Sequence, residues 1–401
     1  MSSLTDFFDA GIDRSGTDAV KWDYRPTNAA GTPLLPMWVA DMDFAAPAAV
    51  REAIANRVAH PVYGYTFASD RYWEAFIDWQ RTRNGWALER SSLVFAPAVM
   101  PAVRAAVLAF TEPGDGVVIQ PPVYFPFFDA IRDNGRTVVE NPLREADGYR
   151  MDLDRLEAAI GPKTRMLVLC SPHNPVGRVW SADELRALGE ICIRHDLIVV
   201  SDEIHSDIRR SGTGFVPFAT LGPEYAARTI ACHAPSKTFN IAGLASSTIV
   251  VPDEGLRARF TATLGRLGMT LPNIASLEAA RAAYAHGHDW TDALLRYLDD
   301  QIEWFAAQIV ARFGGDILLS PIEGTYLAWL DARPLMRRLG CSHAAVQHAL
   351  LEEAALWLSE GKQFGAAGEG FFRMNLATPR SLVKDGLDRL EHAVRFLETK
   401  S

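Results

Sequence analysis

The spacing of apolar positions changes along the chain, and each change predicts a different architecture. Residues 1–45 hold no sustained period. They carry Lys21-Trp22-Asp23 and then Met37-Trp38-Val39-Ala40-Asp41-Met42-Asp43, an apolar run edged by acids, and predict an extended arm with little helix. Near Pro47, a favoured first helical residue, Val50, Ile54 and Val58 begin to recur at every fourth position and predict a helix with one apolar face. Tyr63-Gly64-Tyr65-Thr66 predicts a loop. The following helix pairs Tyr72 with Phe76 and Trp73 with Ile77, and Asn84-Gly85 supplies a left-handed stop.

From about Leu93, short apolar or β-branched runs alternate with helical stretches. Residues 117–120, 166–170, 197–201, 229–233 and 247–251 read as strands buried on both faces. The clearest helix covers 181–193, where Ser181 and Glu184 form an S-x-x-E capping box and Leu185, Leu188 and Cys192 make the inward stripe. Such alternation predicts an α/β fold with a mostly parallel sheet covered by helices, whose ligands collect at the carboxyl ends of the strands. After about residue 285 a long helix carries Leu295, Leu298, Ile302, Phe305 and Ile309, and a last helix from Ser381 turns Leu387, Leu390, Val394 and Leu397 inward. The expected organisation is an arm over 1–45, a large domain over 46–285 and a small domain over 286–401 packed directly on it, since no repeat or long linker intervenes.

Composition narrows the function. A chain of 401 residues exceeds what one core usually serves. With 48% hydrophobic and 22% charged residues and a net charge of -9, it has no electrostatic footprint for nucleic acid or an anionic membrane, so a small-molecule partner is expected. No run approaches the roughly 18 apolar residues of a membrane span. Met1 to Asp13 lacks a basic and an apolar signal region, which predicts a cytoplasmic protein. Cys170, Cys192, Cys232 and Cys341 form no C-x-x-C, and three of them lie in apolar patterns. Reduced thiols are expected, with neither a disulfide framework nor a metal site.

Reactive groups stand just after the predicted strands. Asn174 lies in Ser171-Pro172-His173-Asn174-Pro175-Val176-Gly177-Arg178, Asp202 in Ser201-Asp202-Glu203-Ile204-His205, and Lys237 in Ala234-Pro235-Ser236-Lys237-Thr238-Phe239-Asn240. In a parallel sheet the three converge on one crevice. A desolvated lysine amine is a nucleophile toward aldehydes, and a buried carboxylate keeps a pyridine nitrogen protonated, so the set suits pyridoxal phosphate chemistry. Each residue also has a plainer reading: Asp202 as a helix N-cap, Asn174 as a turn former before Pro175, His205 as a satisfied core histidine. Ala98-Val99-Met100-Pro101, opening a helix over 102–110, offers backbone N–H groups to a phosphate, and Ser236 a hydroxyl. An aromatic in Pro121-Pro122-Val123-Tyr124-Phe125-Pro126 could lie on a cofactor ring or pack in the core. Arg373, inside the apolar run Gly370-Phe371-Phe372-Arg373-Met374-Asn375-Leu376, calls for a carboxylate, from a substrate or from a structural ion pair.

In this order the motifs resemble the fold-type I pyridoxal-phosphate enzymes, and more narrowly the cystathionine β-lyase (MalY/PatB-type, carbon-sulfur lyase) branch of the class I/II aminotransferases. The likeness covers nearly the whole chain and includes K-W-D, P-M-W-V-A-D-M-D-F, Y-G-Y-T, Q-P-P-V-Y-F-P-F and I-E-G-T-Y-L. It implies a type I transferase fold with a seven-stranded sheet and a smaller α/β domain drawn from both chain ends. Lys237 would carry the cofactor as a Schiff base, Asp202 face its ring nitrogen, Asn174 its ring oxygen, and Tyr124 its ring face. The resemblance implies Ala98, Val99, Met100 and Ser236 at the phosphate and Arg373 at the substrate carboxylate, with Val39 and Ala40 lining that end. Tyr65 would reach in from the partner of a homodimer. Ala98 replaces a common glycine, His205 a common tyrosine and Phe125 a tyrosine of some relatives, and no arginine follows the lysine in Ile241-Ala242-Gly243-Leu244-Ala245. The implied reaction is β-elimination from L-cystathionine or related cysteine conjugates. Transamination uses the same residues, and a cofactor-binding regulatory protein is the reading from another class.

Overall fold

In this computed structural model, which describes residues 4–400, the runs rich in β-branched and apolar residues pair into a 7-stranded sheet among the described residues. After a short β1 (Leu35–Pro36), its strands are β2 (Leu93–Ala96), β3 (Gly116–Ile119), β4 (Thr137–Glu140), β5 (Thr164–Cys170), β6 (Ile198–Asp202), β7 (Thr229–His233) and β8 (Ser247–Val250), in the order β2-β8-β7-β6-β5-β3-β4. Neighbours from β7 through β4 pair parallel, whereas β8 runs antiparallel to both β7 and β2. The parallel strands therefore bring their carboxyl ends to one edge, and β8 brings its first residue there.

Apolar side chains on alternate faces of these strands bury against helices on both sides. The helix Val99–Phe110 packs with Val117, Met166, Val200 and Ile230 on one face, and Ala182–Arg194 packs with Val118, Leu167 and Val199 on the other. Ser181 caps the latter through the expected capping box. Gly85 ends the helix Asp70–Asn84 at φ 64°, a left-handed position that glycine occupies at little cost.

A second, 4-stranded antiparallel sheet joins β9 (Leu318–Leu319), β10 (Leu327–Asp331), β12 (Ser359–Glu360) and β13 (Phe371–Asn375) in the order β12-β13-β10-β9, among the described residues. β1 pairs with β11 (Leu356–Trp357), so Leu35 and Met37 of the N-terminal segment share a core with the helices His288–Phe313 and Arg380–Glu398.

Several details depart from the predictions. The arm contains the helix Leu4–Asp9, and Phe8 seats against Phe44 and Tyr297; residues 1–3 lie outside the description. Val58 is 52% exposed, so the predicted apolar face of Ala48–Ala59 is buried at Val50 and open at its far end. In the long helix Leu294 is buried and Leu295 only partly so, because a period of 3.6 rotates the stripe away from a strict heptad. β4 was not foreseen: Thr137 and Glu140 are exposed and the valines between them half-buried, the signature of an edge strand.

Candidate active site

The carboxyl edge of the large sheet opens into a cleft of about 290 Å³ beneath the second sheet. Lys237, Asp202, Asn174, Tyr124, Ala98, Val99, Met100, Ser236, His205, Arg373, Val39 and Ala40 all line it. Tyr65 does not. It stands 97% exposed on another surface, in an open groove with Tyr63 and Leu271.

Lys237 sits in the single helical turn Pro235–Thr238 that follows β7, and its Nζ donates to the carbonyl of Ala40 at 2.5 Å. Burial, helped by the charge of Arg373, pulls its pKa down to about 8. Roughly a tenth of this lysine is thus free amine at pH 7, far more than for an ordinary lysine. Asp202 closes β6, and its carboxylate accepts only the N–H of Ile204 (3.2 Å) among the described residues. Burial pushes its pKa up to about 7, against the pull of that bond, His233 and Lys237. An acid so placed gains from a cation brought against it, as a protonated pyridine nitrogen would be.

Arg373 lies in the middle of β13, opposite Trp329 and Ser359. It donates to Asn174 Oδ1 (2.9 Å), Trp38 O (2.7 Å) and Ser359 Oγ (3.1 Å), and its guanidinium lies 4.8 Å from the ring of Phe364. All these partners are neutral. Among the described residues its Nε has no partner, and desolvation lowers its pKa to about 10. Arginine can only donate, so Asn174 must present Oδ1 to it and keeps its amide N–H groups for the cleft.

The helix Val99–Phe110 begins earlier than predicted, with Ala98 as its N-cap and Pro101 inside the first turn. The N–H groups of the first turn are those an α-helix leaves unpaired. Ala98 adopts φ -163°, extended backbone open to any residue, so the alanine found here in place of glycine imposes no strain. His205 is buried, its Nδ1 unpartnered among the described residues, and burial together with Lys237 and Arg373 lowers its pKa to about 3. The neutral imidazole is therefore the form favoured in the cleft wall. Burial and the nearby Asp202 raise the pKa of Tyr124, leaving a neutral phenol.

The segment carrying Val39 and Ala40 forms no ladder of its own; side chains satisfy its carbonyls instead. Asn375 Nδ2 donates to Val39 O (2.9 Å), Tyr326 Oη to Ala40 O (3.0 Å), and Lys21 Nζ and Asn375 Nδ2 to Asp41 O. Tyr326, within the motif I-E-G-T-Y-L, is one contributor that sequence reasoning left without a role. Ser246 is another: it lines the cleft from the position just before β8. A seven-stranded sheet alone does not reveal which strand is reversed.

The donors present fit pyridoxal phosphate: an amine of lowered pKa, a raised acid, an amide free to donate, an aromatic wall and open helix N–H groups border one cavity. The family model for aminotransferase class I and II matches residues 36–390. Cystathionine β-lyase PatB of Bacillus subtilis (strain 168) is 42% identical over 96% of this chain and 99% of its own length. Protein MalY of Escherichia coli (strain K12) is 35% identical over 97% of this chain and 98% of its own. The crystal structure of the PLP-bound C-S lyase from Staphylococcus hominis superposes with a TM-score of 0.89 at 33% identity, covering 96% of this chain and 98% of that one.

Proposed function

This chain belongs to the aminotransferase class I and II family, and from that premise we infer that it is a pyridoxal-phosphate-dependent carbon-sulfur β-lyase acting on L-cystathionine or related cysteine S-conjugates. The observation that carries the lyase assignment is the end-to-end similarity to a relative and to a solved structure that are named for that activity. The cofactor, when bound, holds the substrate's amino group covalently and withdraws electrons from Cα.

The chain's own residues supply the rest. Lys237 anchors the cofactor and then, released by the substrate amine, takes the proton from Cα onto Nζ. Its lowered pKa keeps Nζ available as a base. Asp202 would face the ring nitrogen, Asn174 would donate to the ring oxygen, Tyr124 would cover the ring and His205 would fill the wall behind it. The amides of Ala98, Val99 and Met100, with Ser236, would hold the phosphate. Arg373, buried among neutral partners, takes the substrate carboxylate, and the backbone of Val39 and Ala40 closes that end. Departure of thiolate from Cβ and hydrolysis of the remaining enamine yield thiol, pyruvate and ammonia; cystathionine gives homocysteine.

The same reading makes the protein a cytoplasmic homodimer, with an arm over 1–45, a cofactor domain over 46–285 and a small domain over 286–401. Val58, Val62, Tyr63, Tyr65 and Phe67 are exposed together, an apolar surface suited to a second copy that would carry Tyr65 to the other cleft. Among the described residues no helix is long and apolar enough to cross a membrane.

Transamination is the competing reaction, since it needs the same lysine, aspartate and arginine. Purified enzyme supplied with cystathionine separates the two: equal amounts of thiol and pyruvate are expected. A 2-oxo acid retaining the whole substrate skeleton, without thiol, would overturn the lyase assignment.

A further inference from the structure

The reversal of β8 has a consequence at the phosphate end of the cleft. Because β8 is antiparallel to β2, with Ser247 opposite Ala96, the residue before β8 arrives beside the turn that opens the helix Val99–Phe110. That residue is Ser246. It is 5% exposed, and it lines the cleft together with Ala98, Val99, Met100 and Ser236. Ser247 fastens this corner by donating its Oγ to Ala96 O at 2.7 Å.

Behind Ser246 lies a row of hydroxyls. Tyr72, 2% exposed in the first turn of Asp70–Asn84, places its Oη 3.3 Å from Ser246 Oγ and 2.8 Å from Thr248 Oγ1. Each of these groups can donate or accept, so the row has no direction of its own. An ionised phosphate only accepts. Against one, Ser246 must donate outward, its oxygen then accepts from Tyr72, and Tyr72 in turn accepts from Thr248. A single acceptor at the end thus orients the whole row, and bonds aligned in this way reinforce one another in a buried setting. The row matters more here because Lys237 and Arg373 are the cations that line the cleft among the described residues, and both have other tasks.

We propose that Ser246 is a phosphate-binding residue of the cofactor site and that Tyr72, held by Thr248, is the positioning residue that orients its hydroxyl. This rests on the cofactor assignment made above.

The test compares pyridoxal phosphate with pyridoxal, which shares the link to Lys237 but lacks the phosphate. Dissociation constants of both are measured from the absorbance of the lysine-linked chromophore in the full chain. Ser246→Ala is expected to weaken pyridoxal phosphate by about tenfold, as for loss of one hydrogen bond to a charged group, and to leave pyridoxal unchanged. Tyr72→Phe should show a smaller loss in the same direction, and the double variant no more than Ser246→Ala alone. Ser246→Thr, which keeps the hydroxyl, should restore most of the affinity, and thermal unfolding of the apo variants separates these effects from misfolding. Equal weakening of both ligands, or weakening of neither, would overturn the role of Ser246. A wild-type chain that links neither ligand would overturn the cofactor reading as well.

Discussion

Two groups of buried charges lie close together in this molecule and are treated in opposite ways. In the N-terminal segment Lys21 and Asp43, 1% and 3% exposed, pair at 2.6 Å; Arg14 bridges Asp43 and Asp41 at 2.8 and 2.9 Å, and Trp22 Nε1 donates to Asp43. Burial opposes ionisation of Asp43, yet Lys21, Trp22 and Arg14 outweigh it and hold its pKa below the usual carboxylate value. In the cleft nothing of the kind occurs. Asp202 is pushed up, Lys237 and Arg373 are pushed down, and Arg373 has only neutral partners. Charges that answer one another build structure, whereas charges held apart in a cavity are available to a ligand. The paired set also serves the unpaired one, since Lys21 and Arg14 grip the carbonyls of Asp41 and Met42, next to the Ala40 carbonyl that Lys237 contacts.

The sharpest way to break this contrast is to remove one charge from each group. Asp43→Asn takes from Lys21 its nearer counter-ion, at 2.6 Å, and leaves it only Asp41 at 3.6 Å; the change is expected to cost about 3 kcal/mol of stability, read by chemical denaturation of the apo protein. Arg373→Met removes a buried charge with no ionic partner, and Trp38 O keeps a bond from Ser359 Oγ at 2.8 Å. Its apo stability should change by less than about 1.5 kcal/mol, while the KM for cystathionine rises by roughly ten- to a hundredfold. A large stability loss for Arg373→Met would make it a structural residue after all.

A smaller effect sharpens the same contrast. Because the folded-state pKa of Asp202 lies above its unfolded value, the folded apo protein binds the extra proton between about pH 4 and about 7. Stability from this group is therefore full at the acid end and is lost as the pH rises toward 7. Asp202→Asn lacks that loss. The apo variant should be more stable than apo wild type above pH 7, with the gap closing toward pH 4; a pH-independent gap would contradict an isolated, raised Asp202.

Much of this site was legible before the fold was known. Asn174, Asp202 and Lys237 could be placed in one crevice because their strands are buried on both faces and so read as continuous apolar runs, and a parallel sheet sends such strand ends to one edge. Arg373 was visible as a charge in an apolar strand. Ser246 and Tyr326 were not, since their roles depend on the reversal of β8 and on side chains reaching across long stretches of chain to Tyr72 and Ala40. β4 escaped because an edge strand need not be apolar. Val58 misled for the converse reason: its regular spacing is genuine, but the face it belongs to is open in a single chain.

The claim on which everything else depends is that Lys237 is the cofactor's anchor. Borohydride reduction of the chain loaded with pyridoxal phosphate, followed by peptide mass mapping, tests it directly. The expected result is one phosphopyridoxyl group on Lys237, with no absorbance of a lysine-linked cofactor in Lys237→Ala. A label on another lysine, or a Lys237→Ala chain that keeps that absorbance, would contradict it.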